Sequence, residues 1–247
     1  MGSLRRLIAA EAWKMLRDPR RLREVFRPRR WRQLFGIARF QARDGDRWTT
    51  DPRGFQSRTY SGYGQYLDHQ RGKLAHLDLA AYEEHYARLL RGRLAHQARL
   101  KPGAFVLCLG ARRGAEVRVF RGLGCRALGL DLNPGPDNPE VLCADFHAIP
   151  VRDGSVDAVF TNSLDHVFEI DRFIGEIRRV LKPEGHLVIE AIRGRAEGTA
   201  PDAYASFWWN RVDDVVALFE TRAFKLRHRS PFREPWPGEQ LVFEVVY

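Results

Sequence analysis

The stretch VLCLGARRGAEVRVF, Val106 to Phe120, sets the reading of this 247-residue chain. An apolar run ends at Gly110, two arginines follow, and Gly114 opens a segment with helical spacing. A buried strand that passes through a short loop into a helix is the turn at which α/β sheets hold nucleotides. The dinucleotide fingerprint needs G-x-G-x-x-G so that backbone can approach a pyrophosphate. Here the run is Gly110-Ala111-Arg112-Arg113-Gly114. Its missing middle glycine counts against a dinucleotide.

Working outward from that loop, strands and helices alternate. AFVLCLG reads as a first strand, AEVRVFRGLG as a helix, CRALGLDL as a second strand and EVLCADF as a third. VDAVFTNS is a fourth, DRFIGEIRRVL a helix stopped by the turn KPEG, HLVIEAI a fifth strand and RVDDVVALFETR a helix. Such alternation implies a parallel sheet covered on both faces. FKLRHRSPF and EQLVFEVVY follow with no helix between them, which predicts an antiparallel hairpin. The expected fold is α/β: a Rossmann-like seven-stranded sheet, mostly parallel, with a C-terminal antiparallel hairpin and an N-terminal helical extension.

Two acids fall at successive strand tips. Asp131 ends the second strand about twenty residues past the loop, where a carboxylate accepts hydrogen bonds from ribose hydroxyls. Asp145 ends the third, where it can accept from an adenine amino group while Phe146 packs on the ring.

The first hundred residues differ in character. Apolar positions from Ser3 to Leu16, and again through the arginine-dense RRLREVFRPRRWRQLFGIARF, suggest basic helices that dock on the rest of the chain or meet an anionic membrane surface. DGDRWTTDPRGFQSRTYSGYGQYLDHQRGKL reads as loop, a lid or binding edge carrying Tyr60, Tyr63 and Tyr66. Helical spacing resumes from Lys73 to Leu100, and Lys101-Pro102-Gly103 marks the boundary between a 1–100 extension and a 101–247 domain. The formal net charge is +10, and most of the excess is arginine in the first fifty residues. Three scattered cysteines without a CxxC suit a reducing compartment, and no bilayer-spanning run or signal peptide is read, so the expected location is cytoplasmic.

VLCLGARRGAEV, LGLDLNPG, ADFHAIPVRDGSVDAVFTNSLDHV and IGEIRRVLKPEGHLVIE together resemble the class I S-adenosylmethionine-dependent methyltransferases, from Leu100 to Tyr247. The resemblance implies an S-adenosylmethionine site at Gly110, Ala111, Arg112, Gly114, Asp131, Leu132, Asp145, Phe146 and Asn162. Cys108, Ala111 and Arg112 depart from the family's acid and glycines, so the methionine end of the cofactor falls to Arg112, Arg113, Arg71 or Lys73. Candidate bases are His166 beside Asp165, then His147, then Glu190. Mg2+-dependent chemistry is weighed and not favoured, because no ligand spacing is distinctive, and no dedicated metal site is assigned.

No N-P-P-[YF] run and no placed cysteine nucleophile supports a nucleic-acid substrate, despite the charge. Trp208 and Trp209 lie where the family binds acceptors, and their aromatic character suggests a sugar or oligosaccharide hydroxyl. The chain resembles, on that reading, the mycobacterial sugar O-methyltransferases. An RNA methyltransferase and an inactive binding module of the same fold are the alternatives. Oligomeric state is left open, with a homodimer as one outcome.

Overall fold

The computed structural model describes residues 47–72, 80–97 and 100–246. These divide into two compact units: 47–49 with 58–72, and 50–57 with 80–97 and 100–246. The basic helices expected before residue 47, and Lys73, lie outside the described residues. The helix at 80–97 groups with the sheet, although the sequence boundary at 100/101 would have left it with the extension.

The segment expected to be loop is structured. It holds strands β1 (Trp48–Thr50) and β2 (Gln56–Arg58) and helix α1 (Tyr63–Gly72). Its glycines and serine, Ser61, Gly62 and Gly64, cluster at the entry to α1 and gave the loop reading. Beyond them QYLDHQR has no breaker, and Tyr66 and His69, three residues apart on one helix face, are both buried. Tyr60 Oη lies 2.8 Å from His69 Nδ1, and the Tyr60 and Tyr63 rings pack on Tyr66. These tyrosines all belong to the first unit.

In the second unit, helix α2 (Ala80–Gln97) leads into β3 (Phe105–Leu109), α3 (Ala115–Gly122), β4 (Arg126–Asp131), β5 (Val141–Cys143) and β6 (Val156–Thr161). Helix α4 (Ile170–Val180), β7 (Leu181–Ile192), the two-residue β8 (Phe207–Trp208), α5 (Val212–Glu220), β9 (Phe224–Phe232) and β10 (Gly238–Val245) complete it. The seven-stranded sheet has the order β5-β4-β3-β6-β7-β10-β9. Neighbours β5 to β7 pair in parallel, and β10 is antiparallel to both β7 and β9, as the absence of a helix between the last two strands requires.

One boundary differs from the sequence reading. KPEG is not a free turn before the fifth strand but a bulge near its start. Val156 pairs with Leu181 and Ala158 with His186, so the intervening residues loop out, with Glu184 at φ 61°. Asp157 anchors the bulge, accepting from Lys182 Nζ at 2.6 Å and from the Phe105 amide at 2.8 Å.

Two apolar clusters sandwich the sheet. One joins α4 and α5 to Leu107, Leu109, Val159, Leu187 and Ile189, and the other joins α2 and α3 to Val106, Cys108, Ala158 and Val188. Adjacent strand residues therefore alternate between the two clusters, the period-2 pattern of a sheet buried on both faces.

Candidate active site

Strand order reverses between β3 and β6, so the crevice at their carboxyl ends is where such a sheet takes a ligand. Gly110 and Ser163 face one another across it. Gly110 has φ +70°, and a Cβ there would lie 2.4 Å from Ser163 Oγ, so the turn needs glycine on both counts. The loop closes on β4, with the Gly110 and Ala111 amides donating to the Leu130 carbonyl at 2.8 and 3.0 Å. Arg112 follows with φ 47°, and Gly114, at φ 89°, passes the chain into α3.

Asp131 stands at the tip of β4 with its carboxylate aimed by backbone. Oδ2 accepts from the Arg112 amide at 2.8 Å and Oδ1 from the Asn133 amide at 2.9 Å. Leu132 is half-buried beside it, and its carbonyl accepts from Cys143 Sγ.

Asp145, just past β5, accepts with Oδ1 from the His147 amide and ring Nδ1, at 2.8 and 2.9 Å. Phe146 is buried, with its ring 5.1 Å from Phe173. Below this platform Arg179 staples the following loop, donating to the carbonyls of Ile149 at 2.7 Å and Val151 at 2.8 Å while Glu176 holds the guanidinium.

The side chains that sequence could not pair form a buried polar layer by the Gly110–Gly114 loop. Asn162 donates to Glu116 Oε1 at 3.2 Å. The Arg112 guanidinium lies over Tyr82, 5.3 Å from its centroid, and attracts the Glu116 carboxylate. Burial nonetheless pushes Glu116 up to about 7, with Arg112 and Asn162 opposing the rise. Glu83 is also raised, by its own desolvation, against the pull of Arg112. Neither Glu116 nor Glu83 was singled out from sequence. The signal for Glu116 was an acid in the first turn of α3 on the face it shares with buried Val117, Val119 and Phe120.

The four candidate bases separate by geometry. Glu190 accepts from Arg93 Nε and Nη2 at 2.6 and 2.9 Å, from Tyr86 Oη at 2.8 Å and from Gln240 Nε2 at 2.9 Å. These four donors occupy both carboxylate oxygens, the arrangement of a structural anchor. His147 is a link rather than a base. Its Nδ1–H goes to Asp145, and its Nε2 accepts from the Phe168 and Glu169 amides at 3.3 and 3.2 Å, tying the β5 tip to the start of α4.

His166 differs. It sits in a short 3-10 turn at the β6 tip, Leu164–His166, its side chain partly exposed. Its Nδ1 lies 3.1 Å from the Tyr204 carbonyl, a contact that is a hydrogen bond when Nδ1 carries the proton. Asp165 Oδ2 is 3.7 Å from Nε2.

The two tryptophans do not offer open faces. Trp209 is 1% exposed, lies within the core and donates Nε1–H to the Ile192 carbonyl at 3.0 Å. Trp208 is 2% exposed, stacks on Trp209 at 5.4 Å and pairs across β2 with Gln56. Their burial is the reason they are not the stacking platform expected for a sugar ring.

This sheet order, with β10 inserted antiparallel between β7 and β9 and acids at the tips of β4 and β5, defines the fold of class I S-adenosylmethionine-dependent methyltransferases. Residues 107–189 match the model of a methyltransferase domain family. A curated relative, malonyl-acyl-carrier-protein O-methyltransferase of Methylococcus capsulatus, is 33% identical over 137 residues, which is 49% of this chain and 48% of the relative. The chain thus spans about half the length of that relative.

Among solved structures, the 1,6-didemethyltoxoflavin-N1-methyltransferase of Burkholderia thailandensis, with 1,6-didemethyltoxoflavin and S-adenosylhomocysteine bound, superposes with a TM-score of 0.57 at 16% identity, covering 82% of this chain and 100% of that one. A SAM-dependent methyltransferase from Aquifex aeolicus gives 0.52 at 19% identity, covering 67% and 98%. Both show the likeness of fold. Among the described residues no three His, Cys, Asp or Glu side chains gather as metal ligands, and no helix is long and apolar enough to cross a membrane.

Proposed function

We propose that this protein transfers the methyl group of S-adenosylmethionine to an oxygen of a small-molecule acceptor. The observation that carries the reading is the alignment of Gly110, Asp131 and Asp145 along the carboxyl ends of three adjacent strands, with His166 on the fourth. The residues fit the cofactor. The glycine cradle at Gly110 has no room for a side chain, and Asp131 is pre-aimed by two amides to accept from a ribose. Asp145 accepts from the adenine side, and Arg112 or Arg113 serves the methionine carboxylate.

Bound S-adenosylmethionine supplies a methyl already activated on a sulfonium, so the protein's work is alignment and proton removal. His166 takes the acceptor's hydroxyl proton on Nε2, with Asp165 stabilising the resulting cation. A sugar or oligosaccharide hydroxyl remains the proposed acceptor, now resting on this base rather than on tryptophan stacking. A second reading has one supporting observation, the malonyl-acyl-carrier-protein relative: the acceptor is then a carboxylate, which arrives deprotonated and needs no base.

The test is calorimetric titration of wild type and Asp131→Ala with S-adenosylhomocysteine. Micromolar binding by wild type, lost in the variant, supports the site. Absence of binding by wild type sinks it.

A further inference from the structure

The carbonyl that meets His166 Nδ1 lies in a segment with no sequence motif. Between β7 and α5 the chain makes an excursion, residues 193–211, that folds back on itself. Glu197 pins its base, accepting with Oε2 from the Gly194 amide at 2.7 Å and the Val212 amide at 3.0 Å. The Arg195 and Ala196 amides donate to the carbonyls of Trp209 and Asn210, and a Cβ on Gly194 would come within 2.2 Å of the Asn210 carbonyl oxygen. The strap is closed at its foot.

At its crest Asp202 forms an Asx-type turn. One oxygen, Oδ1, accepts from the Tyr204 amide and the Ala205 amide, each at 2.8 Å. Two bonds to one carboxylate oxygen fix the peptide planes of this turn, and with them the direction of the Tyr204 carbonyl. That carbonyl receives His166 Nδ1–H at 3.1 Å. Two residues further on, the Ser206 amide donates to the Asp165 carbonyl at 2.7 Å, so the strap meets the 3-10 turn at the His166 side chain and at the main chain.

We propose that Asp202 is a positioning residue: its carboxylate sets the Tyr204 carbonyl, which holds His166 in the Nδ1–H tautomer and turns Nε2 toward the acceptor. The inference rests on the methyltransferase reading for what Nε2 does, but the geometry of the device stands apart from it. A histidine can act as a base only through the nitrogen without the proton, and the partner of the other nitrogen decides which that is. Serine hydrolases use a carboxylate for this purpose. Here a backbone carbonyl does it, and Asp202 stands behind that carbonyl.

The experiment is nitrogen NMR on full-length protein labelled with 15N-histidine, with His166→Gln to assign the resonance, run beside S-adenosylhomocysteine calorimetry. In wild type, above the imidazole titration, His166 is expected to show two well-separated nitrogens with the proton on Nδ1. Asp202→Ala should collapse them toward an average. Asp202→Asn, whose Oδ1 can accept from the same two amides, should restore the wild-type pattern, while all three proteins keep S-adenosylhomocysteine affinity within about threefold.

A wild-type His166 protonated on Nε2 overturns the proposal without need of any variant, which matters if Asp202→Ala does not fold. An unchanged tautomer in folded Asp202→Ala overturns it as well. If wild type shows the Nδ1–H tautomer but binds no S-adenosylhomocysteine, the methyltransferase reading falls and takes the base assignment with it.

Discussion

Arg93 and Glu190, 97 residues apart, share a two-pronged ion pair at 2.6 and 2.9 Å that joins α2 to the tip of β7, with the carboxylate fully buried. Removing one member leaves the other charged without its counter-ion. Arg93→Ala is expected to lower unfolding free energy by about 3–5 kcal/mol, read by urea denaturation. Tyr86→Phe deletes one hydrogen bond to the same carboxylate and should cost about 1.5–3 kcal/mol. A loss below 1 kcal/mol in both would mean that the contact between α2 and β7 does not stabilise the fold.

Two amides aim the Asp131 carboxylate, and on the proposed cofactor reading the substitution that removes it should act on binding more than on folding. Two charge-assisted bonds to ribose hydroxyls, worth roughly 1.5–3 kcal/mol each, correspond to at least a hundredfold weaker S-adenosylhomocysteine binding in Asp131→Ala. Asp131→Asn keeps one acceptor oxygen and should fall between. Equal affinities in all three proteins would place the ribose elsewhere.

Gly110 is constrained twice, by φ +70° and by Ser163 Oγ at 2.4 Å from a built Cβ. Gly110→Ala should cost about 1–2 kcal/mol from the left-handed backbone alone, with a further loss from the clash. Adding Ser163→Gly should recover the clash and leave the backbone cost. Full rescue by the second change, measured by thermal or urea unfolding, would show that φ is relaxed.

Glu116 gives a pH signature. Its folded pKa is raised from 4.5 to about 7 by burial, so the native state binds the proton more tightly than the unfolded chain. The resulting stabilisation is fully present below pH 4.5 and is lost as pH rises through 7, with a span on the order of 3 kcal/mol. Glu116→Gln cannot lose that proton. Its stability relative to wild type should therefore improve from pH 5 to pH 7.5, and a constant difference across that range would refute the assignment.

How much of this was legible in the sequence depended on distance along the chain. The strand-tip placement of Asp131 and Asp145 could be read because a strand's end is marked locally, by the change from an apolar run to polar residues. The antiparallel finish was readable because no helix separates β9 from β10. Tyr63–Gly72 was missed because glycines at its entry dominate a local reading, whereas its helix is secured by burial of Tyr66 and His69. KPEG was misplaced for a related reason: a bulge and a turn share the same residues, and only the Val156–Leu181 pairing distinguishes them.

The choice among His166, His147 and Glu190 had no local signal at all. Glu190 meets Tyr86, Arg93 and Gln240 only after folding, and His147 meets the amides of Phe168 and Glu169. Asp202 left a weak trace, an Asp two residues before a tyrosine in a loop, indistinguishable from many ordinary turns.

His166 offers the measurement that separates the two acceptor classes. A hydroxyl must lose its proton as the methyl moves, and a placed base contributes about 10²–10⁴ in rate. His166→Gln with a hydroxyl acceptor should therefore lower kcat by a factor in that range, with S-adenosylhomocysteine affinity unchanged, because no cofactor contact is assigned to the ring. A carboxylate acceptor is already an anion at neutral pH. With it the same variant should lose less than tenfold, and the His166 ring would serve only to shape the crevice. Retained rate on a hydroxyl would leave Asp165 as the base, since its Oδ2 stands 3.7 Å from the ring at the same β6 tip. Asp165→Asn would then show the loss that His166→Gln did not.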